Sequence, residues 1–239
     1  MFHPEGPTLR ELAEQALSST DRGYDLLAPK FDLTPFRTPD FILERVAEEI
    51  GADPRPVERS IDVCCGTGAA VRWLRPLTSQ EVIGIDRSRG MLEEARRRLA
   101  DAPGSARVRL VQGDALDLPF AGAFDLATCF GAFGHILERD EPRFVDRVAR
   151  ILKPGGRFVF VTSGRVPLLS PWRWAAHAFN ATMRVRNALM KPEFIMYYLT
   201  FQLPEARRHL ENRGFDVDVK AGFVPAFGNL VLVTATKPS

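Results

Sequence analysis

The chain has 239 residues, 45% of them apolar and 26% charged, with 32 Lys and Arg against 30 Asp and Glu. That composition describes one globular domain with additions, or two small ones, and its near-balanced, interspersed charge excludes the sustained basic surface that nucleic-acid binding requires. No apolar run approaches the roughly 18 residues of a membrane span, and Met1-Phe2-His3-Pro4-Glu5-Gly6 lacks the basic flank and apolar core of a signal peptide, so a cytoplasmic location is expected.

Before residue 58 the periodicity is helical. Thr8-Leu9-Arg10-Glu11 reads as a capping box opening a helix with Leu9, Leu12, Ala13, Ala16 and Leu17 at helical spacing. A second helix takes Thr38 as N-cap and Pro39 as its first residue, buries Ile42, Val46 and Ile50, and stops at Gly51. Between them, Gly23 to Asp32 reads as an irregular segment with two aromatic-acid pairs, Tyr24-Asp25 and Phe31-Asp32.

From residue 59 short apolar strands alternate with helices, the pattern of a parallel, doubly wound α/β sheet. The predicted strands are Ser60 to Cys64, Glu81 to Ile85, Val108 to Gln112, Asp125 to Phe130 and Arg157 to Thr162, uniformly apolar and expected to be buried on both faces. The predicted helices between them are Ala69 to Leu77, Gly90 to Ala100 and Glu141 to Leu152. Ligands of such a sheet sit outside the carboxyl ends of its strands, where strand order reverses.

After Thr162 the alternation breaks into an aromatic-rich insertion that reads as a helical lid. A helix from Pro204 to Arg213 then leads to strands Phe215 to Val219 and Leu230 to Thr236. The expected division is 1–57, N-terminal helices and flap; 58–162, core; 163–203, lid; and 204–239, the helix and strands that complete the core.

Ile61-Asp62-Val63-Cys64-Cys65-Gly66-Thr67-Gly68 is strand followed by glycine loop, and Asp86 ends the next strand, where a carboxylate can accept from both hydroxyls of a ribose. Counted from Gly66, the sixth place of a dinucleotide fingerprint holds Val71, which counts against a nicotinamide-dependent oxidoreductase. The segment resembles the Asp-x-Gly-x-Gly-x-Gly loop of class I S-adenosylmethionine (SAM) dependent methyltransferases, with Cys64 standing where the first glycine would be. Gln112-Gly113-Asp114-Ala115 and Leu152-Lys153-Pro154-Gly155-Gly156 resemble later motifs of that family, in order. The resemblance covers about residues 24 to 236. It implies a Rossmann-like seven-stranded sheet, mostly parallel with an antiparallel terminal strand, and SAM as cofactor with S-adenosylhomocysteine as product.

The resemblance also implies roles. Asp62 would support the loop and the ligand's ammonium, Gly66 and Gly68 would admit the methionyl and ribose portions, Asp86 would take the diol, Asp114 would accept from adenine N6, and the Ala115 amide would donate to a ring nitrogen. As readings of the residues alone, Asp62 could instead cap the following turn, and Asp114 could nearly as well be an ordinary turn aspartate. His135, just beyond strand four, is the base candidate, or else a residue that orients its loop. Tyr24 and Phe31 belong to a segment that resembles the flap over the cofactor in small-molecule methyltransferases, with simple packing as the alternative. His177 and Tyr197 would line the lid, which is similar to the corresponding region of quinone and phospholipid methyltransferases and suggests a small, apolar or aromatic acceptor. His209 reads as helix surface.

Cys64, Cys65 and Cys129 form no Cys-x-x-Cys pair and the four histidines show no metal-ligand spacing, so reduced thiols and no metal are expected. No Asn/Asp-Pro-Pro-Tyr/Phe motif follows strand four, which counts against methylation of nucleic acid. Trp172-Arg173-Trp174 could rest on a membrane surface. A catalytically silent SAM-binding or membrane-associated protein stays open, and oligomeric state is not readable.

Overall fold

The apolar segments assemble into one seven-stranded sheet, ordered β3-β2-β1-β4-β5-β7-β6, in a computed structural model that describes residues 3–224 and 228–239. Met1 and Phe2 of the N-terminal hexapeptide lie outside those residues. The strands are β1 (Arg59–Val63), β2 (Glu81–Asp86), β3 (Arg107–Gln112), β4 (Phe124–Cys129), β5 (Leu152–Ser163), β6 (Asp216–Ala221) and β7 (Leu230–Thr236). β1 to β5 are mutually parallel, and β7 runs antiparallel between β5 and β6. That inserted strand departs from the 3-2-1-4-5-6 order of dinucleotide folds. Strand order reverses between β1 and β4, which opens the crevice for a ligand at their carboxyl ends.

Eight α-helices accompany the sheet among the described residues: α1 (Leu9–Leu17), α2 (Thr20–Leu27), α3 (Asp40–Ala52), α4 (Ala69–Leu74), α5 (Arg89–Arg98), α6 (Glu141–Ile151), α7 (Pro171–Leu189) and α8 (Leu203–Asn212). Strand alternation sends Ile61, Ile83, Phe158 and Phe160 into one core with Phe144 of α6 and Leu210 of α8. Val82, Leu126 and Val159 point the other way, against Val46 of α3, Val71 of α4 and Ala95 of α5. Both faces are covered, as a doubly wound sheet requires. Phe124, Phe144, Phe158 and Phe160 are fully buried, each worth about 1.5–3 kcal/mol in transfer from water.

Several elements differ from their sequence reading, each for a local reason. α3 begins one residue later, with Pro39 as N-cap and no bond from the Thr38 side chain, and it runs through Gly51 to Ala52. The segment expected to be irregular is helix α2 followed by a 3-10 turn, Ala28–Leu33, because Ser19 accepts from the Arg22 amide and caps it. The helix expected over 69–77 is α up to Leu74 and 3-10 from Arg75, where Pro76 removes an amide donor. β5 begins at Leu152 because Leu152 pairs with Phe124 ahead of a register shift. β3 is not uniformly apolar: it is an edge strand whose exposed positions include Arg107 and Arg109, charges that discourage edge-to-edge association. His209 is not surface; it stacks with Phe201 and lies 3.3 Å from the buried Glu141.

Candidate functional site

A cavity of about 690 Å³ lies at the carboxyl ends of β1, β2 and β4, within the range of small-ligand sites. Its wall includes Tyr24, Phe31, Asp62, Gly66, Asp86, Asp114, Ala115, His135 and Tyr197. These nine sequence candidates come together although they are spread over more than 170 positions.

Asp86 closes β2, and both of its carboxylate oxygens are addressed by backbone. Oδ2 accepts from the Gly66 amide and Oδ1 from the Ser88 amide, each at 2.9 Å. Gly66 can present its amide because the loop turns there at φ 51°. Burial raises the Asp86 pKa and the backbone donors oppose that rise. Asp62 sits one strand away, with Oδ1 accepting from the Thr128 hydroxyl at 2.7 Å. Burial, opposed by Thr128 and assisted by repulsion from Asp86, pushes its pKa up to about 7. A buried carboxylate and a half-buried one on one cavity make a site that favours a cationic ligand.

Asp114 Oδ1 accepts from the Leu116 amide at 2.8 Å, a turn contact, while Oδ2 faces the Arg87 guanidinium at 3.6 Å. Its neighbour Ala115 is buried.

His135 ends a 3-10 turn just past β4. Its Nδ1 lies 2.6 Å from the Ile195 carbonyl and its Nε2 lies 2.8 Å from the Tyr24 hydroxyl. A carbonyl only accepts, so Nδ1 carries the proton and donates; the neutral ring then accepts the Tyr24 O–H at Nε2. Burial lowers the His135 pKa, opposed by the Ile195 contact, which favours this neutral tautomer. Burial and the charge of Asp86 hold the Tyr24 phenol well above its ordinary value, so it remains a donor. Tyr24 also meets Phe31 edge-on, with ring centroids 6.1 Å apart.

Residues 61–156 match a family model described as a methyltransferase domain. Over 219 residues the chain is 30% identical to the demethylmenaquinone methyltransferase of Staphylococcus aureus strain JH9, an alignment covering 86% of each protein. The chain belongs to the class I SAM-dependent methyltransferases. The demethylmenaquinone methyltransferase of Symbiobacterium thermophilum is 38% identical over 114 residues, 46% of this chain and 45% of that one. At this level of identity the chain spans about half the length of the curated relatives it matches. An O-methyltransferase family protein of Burkholderia thailandensis superposes with a TM-score of 0.69 at 17% identity, covering 96% of this chain and 68% of that one, a likeness of fold.

Two sequence candidates lie elsewhere. Gly68 does not border the cavity; at φ 83° it caps α4, and an added Cβ would lie 2.8 Å from Leu99 of the segment after α5. Its lack of a side chain serves loop-to-helix packing. His177 is exposed on the far side of α7, away from the cavity. Cys64 does line the cavity and adopts φ 59°, so it takes up the left-handed conformation of the glycine it replaces. All three cysteines are free thiols.

Sequence reasoning missed the residues that hold in place the cap formed by α2 and the 3-10 turn Ala28–Leu33. Asp25 accepts from the Ser88 hydroxyl at 2.6 Å and the Gly90 amide at 2.8 Å, and Asp32 accepts from the Thr67 hydroxyl at 2.6 Å. In each aromatic-acid pair the ring faces the cavity and the acid fastens the cap to the sheet's loops. The signal was the repeat of Tyr-Asp and Phe-Asp seven residues apart, two helical turns.

The wall carrying Ile195 and Tyr197 is docked by backbone, with the Tyr197 amide donating to the Gly134 carbonyl at 2.8 Å. A Cβ at Gly134 would run into the Tyr197 carbonyl oxygen. Gly134→Ala is expected to cost about 2 kcal/mol, the middle of the overpacking range, and to lower the melting temperature by about 4–8 °C. A melt unchanged from wild type would show that this wall is not packed as described.

Proposed function

We propose that this chain transfers a methyl group from SAM to a small, apolar or aromatic acceptor, with Asp86 and the Gly66 loop holding the nucleoside and Tyr24 and His135 handling the acceptor's proton. The observation that carries the reading is the pairing, on one cavity, of two carboxylates short of positive charge with a neutral histidine whose open nitrogen is held by a tyrosine.

The residues present suit the cofactor. Asp86 is oriented by two amides so that its remaining lone pairs can accept from a diol. Asp62, with its pKa raised by burial, gains a counter-ion when a positive ligand arrives. Ala115 and Asp114 would meet the base, and Phe31 of the cap would cover it. When bound, SAM supplies a sulfonium-activated methyl carbon that needs orientation and exclusion of water more than acid catalysis.

Proton removal falls to the cap. An acceptor hydroxyl reaching Tyr24 would give its proton to the tyrosine oxygen as the tyrosine proton moves to His135 Nε2. The Ile195 carbonyl keeps Nδ1–H fixed and stabilises the imidazolium that forms. Tyr24, Trp172 and Tyr197 give the acceptor's part of the wall an aromatic character, which suits a phenol or quinol better than a charged amine. Neither step calls for a metal ion.

The test is transfer of labelled methyl from SAM to a panel of phenols, quinols and amines. Label is expected in an apolar hydroxyl-bearing acceptor, with rates rising as the acceptor becomes more apolar. Exclusive labelling of amines would overturn the acceptor assignment, and no binding of SAM would overturn the whole reading.

A further inference from the structure

Helix α7 is turned inside out. Its inward face carries two buried asparagines whose side chains hold backbone of the cavity wall: Asn180 bonds the Tyr198 amide and carbonyl, and Asn187 bonds the amide and carbonyl of Phe194, at 2.9–3.0 Å. Its outward face carries Trp174, Ala178, Ala181, Val185, Ala188 and Leu189, which fall within one arc at 100° per residue. No charged residue lies in that arc, and the polar His177 and Thr182 flank it. Trp174 is 64% exposed, Val185 58% and Leu189 80%. The turn leading into α7 adds Leu168 and Leu169, the latter 94% exposed. Folding does not call for this arrangement, because a surface helix ordinarily places its polar side outward.

We propose that the outward face of α7 docks on an anionic lipid surface. Charge complementarity selects that partner. Arg173 and Arg184 border the apolar arc on one side and Arg186 on the other. Arg173 donates to the Val166 carbonyl and Arg186 to the Ser18 and Pro192 carbonyls, neutral partners that leave both charges uncancelled behind the face, while Arg184, 66% exposed over the Tyr197 ring, is the one within reach of headgroup phosphates. No Asp or Glu occurs between Asp146 and Glu193. Glu138 approaches only Arg184, at 3.9 Å between two well exposed side chains, too weak a pair to cancel the attraction. The helix is 19 residues long, about 28 Å at 1.5 Å per residue, and lies along the surface; no helix among the described residues is long and apolar enough to cross a membrane.

The dock has a consequence for the site. Trp172, in the first turn of α7, is half exposed and also lines the cavity, with its ring edge-on to Tyr198 at 5.5 Å. A helix seated in the headgroup layer therefore holds one edge of the cavity at the lipid boundary, where an apolar acceptor is concentrated. That consequence rests on the methyltransferase reading. Docking itself does not, since it is measured without any transfer.

Flotation with vesicles of phosphatidylcholine and phosphatidylglycerol tests the proposal on the whole protein. Wild type is expected to float with these vesicles, to stay at the bottom with phosphatidylcholine alone, and to be released as salt rises. The triple variant Trp174→Glu, Val185→Glu, Leu189→Glu is expected to partition at least about tenfold less, since three apolar groups leave the interface, while binding SAM as wild type does. Trp174→Phe keeps the surface apolar and guards against misfolding of the triple variant: it should still float but lose much of the blue shift in tryptophan emission that vesicles cause in wild type. Failure of wild type to float, equal flotation without anionic lipid, or flotation unchanged in the triple variant would each overturn the proposal. So would a dimer that ignores vesicles and becomes monomeric in the triple variant, since the face would then meet a second copy. If SAM fails to bind while flotation persists, the catalytic reading falls and the docking surface stands.

Discussion

Asp86→Ala is expected to weaken binding of SAM and of S-adenosylhomocysteine by about 100-fold or more, measured by titration calorimetry. Hydrogen bonds to an ionised partner contribute about 1.5–3 kcal/mol each, and two ribose hydroxyls lose such a partner together; a loss of about 3 kcal/mol is already about 100-fold. The variant also leaves the Gly66 and Ser88 amides without the acceptor that fixes them, so the loop approached by the ligand loses its clamp. The fold should survive. A carboxylate whose pKa is raised by burial stabilises the protein little in its charged form, so the melting temperature of the empty protein should move far less than the affinity. Affinity within threefold of wild type would remove the nucleoside from this site.

The architecture was legible because its signals are local. β1, β2 and β4 are short apolar runs between turn residues, and their alternation with helices fixes a parallel sheet before any coordinate is seen. The placement of Asp62, Gly66 and Asp86 on one cavity follows from that order, since each ends a strand or begins the loop after it. What could not be read depends on contacts across long separations. The partner of His135 Nδ1 is a carbonyl 60 residues away, and that of Nε2 is a hydroxyl 111 residues away. Nothing in Gly134-His135-Ile136 announces either. The roles of Asp25 and Asp32 were hidden for the same reason: a carboxylate beside an aromatic on a short helix is ordinary until the loop it fastens is in view.

Composition misled where it was read without direction. The aromatic-rich insertion suggested a lid whose histidine and tyrosine both face the acceptor, yet the single helix α7 separates them. Tyr197 lies in the wall that follows the helix, with its hydroxyl 3.2 Å from Asn187, while His177 points outward. The 3.6-residue period already held that answer: Ala176, Asn180, Met183 and Asn187 form the buried stripe and leave position 177 off it. Two asparagines in a buried stripe do not look like a core face, so the stripe goes unrecognised until their backbone partners are known.

His135→Ala is expected to lower kcat for a hydroxyl acceptor by about 10²–10⁴-fold, the range for removing a general base, and to leave SAM affinity within about twofold. The ring touches neither Asp62 nor Asp86 by hydrogen bond; its partners are Tyr24 and Ile195. The pH profile separates this role from mere support of the loop. The base works as neutral imidazole, and burial favours that form by holding its pKa below the ordinary 6.5. The wild-type rate should therefore be flat near neutrality and fall as acid protonates Nε2, with its limb below about pH 6.5. Tyr24→Phe removes the hydroxyl that joins the acceptor to Nε2 and should cut kcat while sparing the fold, because the ring keeps its contacts with Phe31 and Phe194. A loop-orienting histidine would predict otherwise: Tyr24→Phe would be near neutral, and His135→Ala would raise KM and leave the acid limb where it was. Retention of that limb in His135→Ala would assign the titration to another group and end the case for His135 as base.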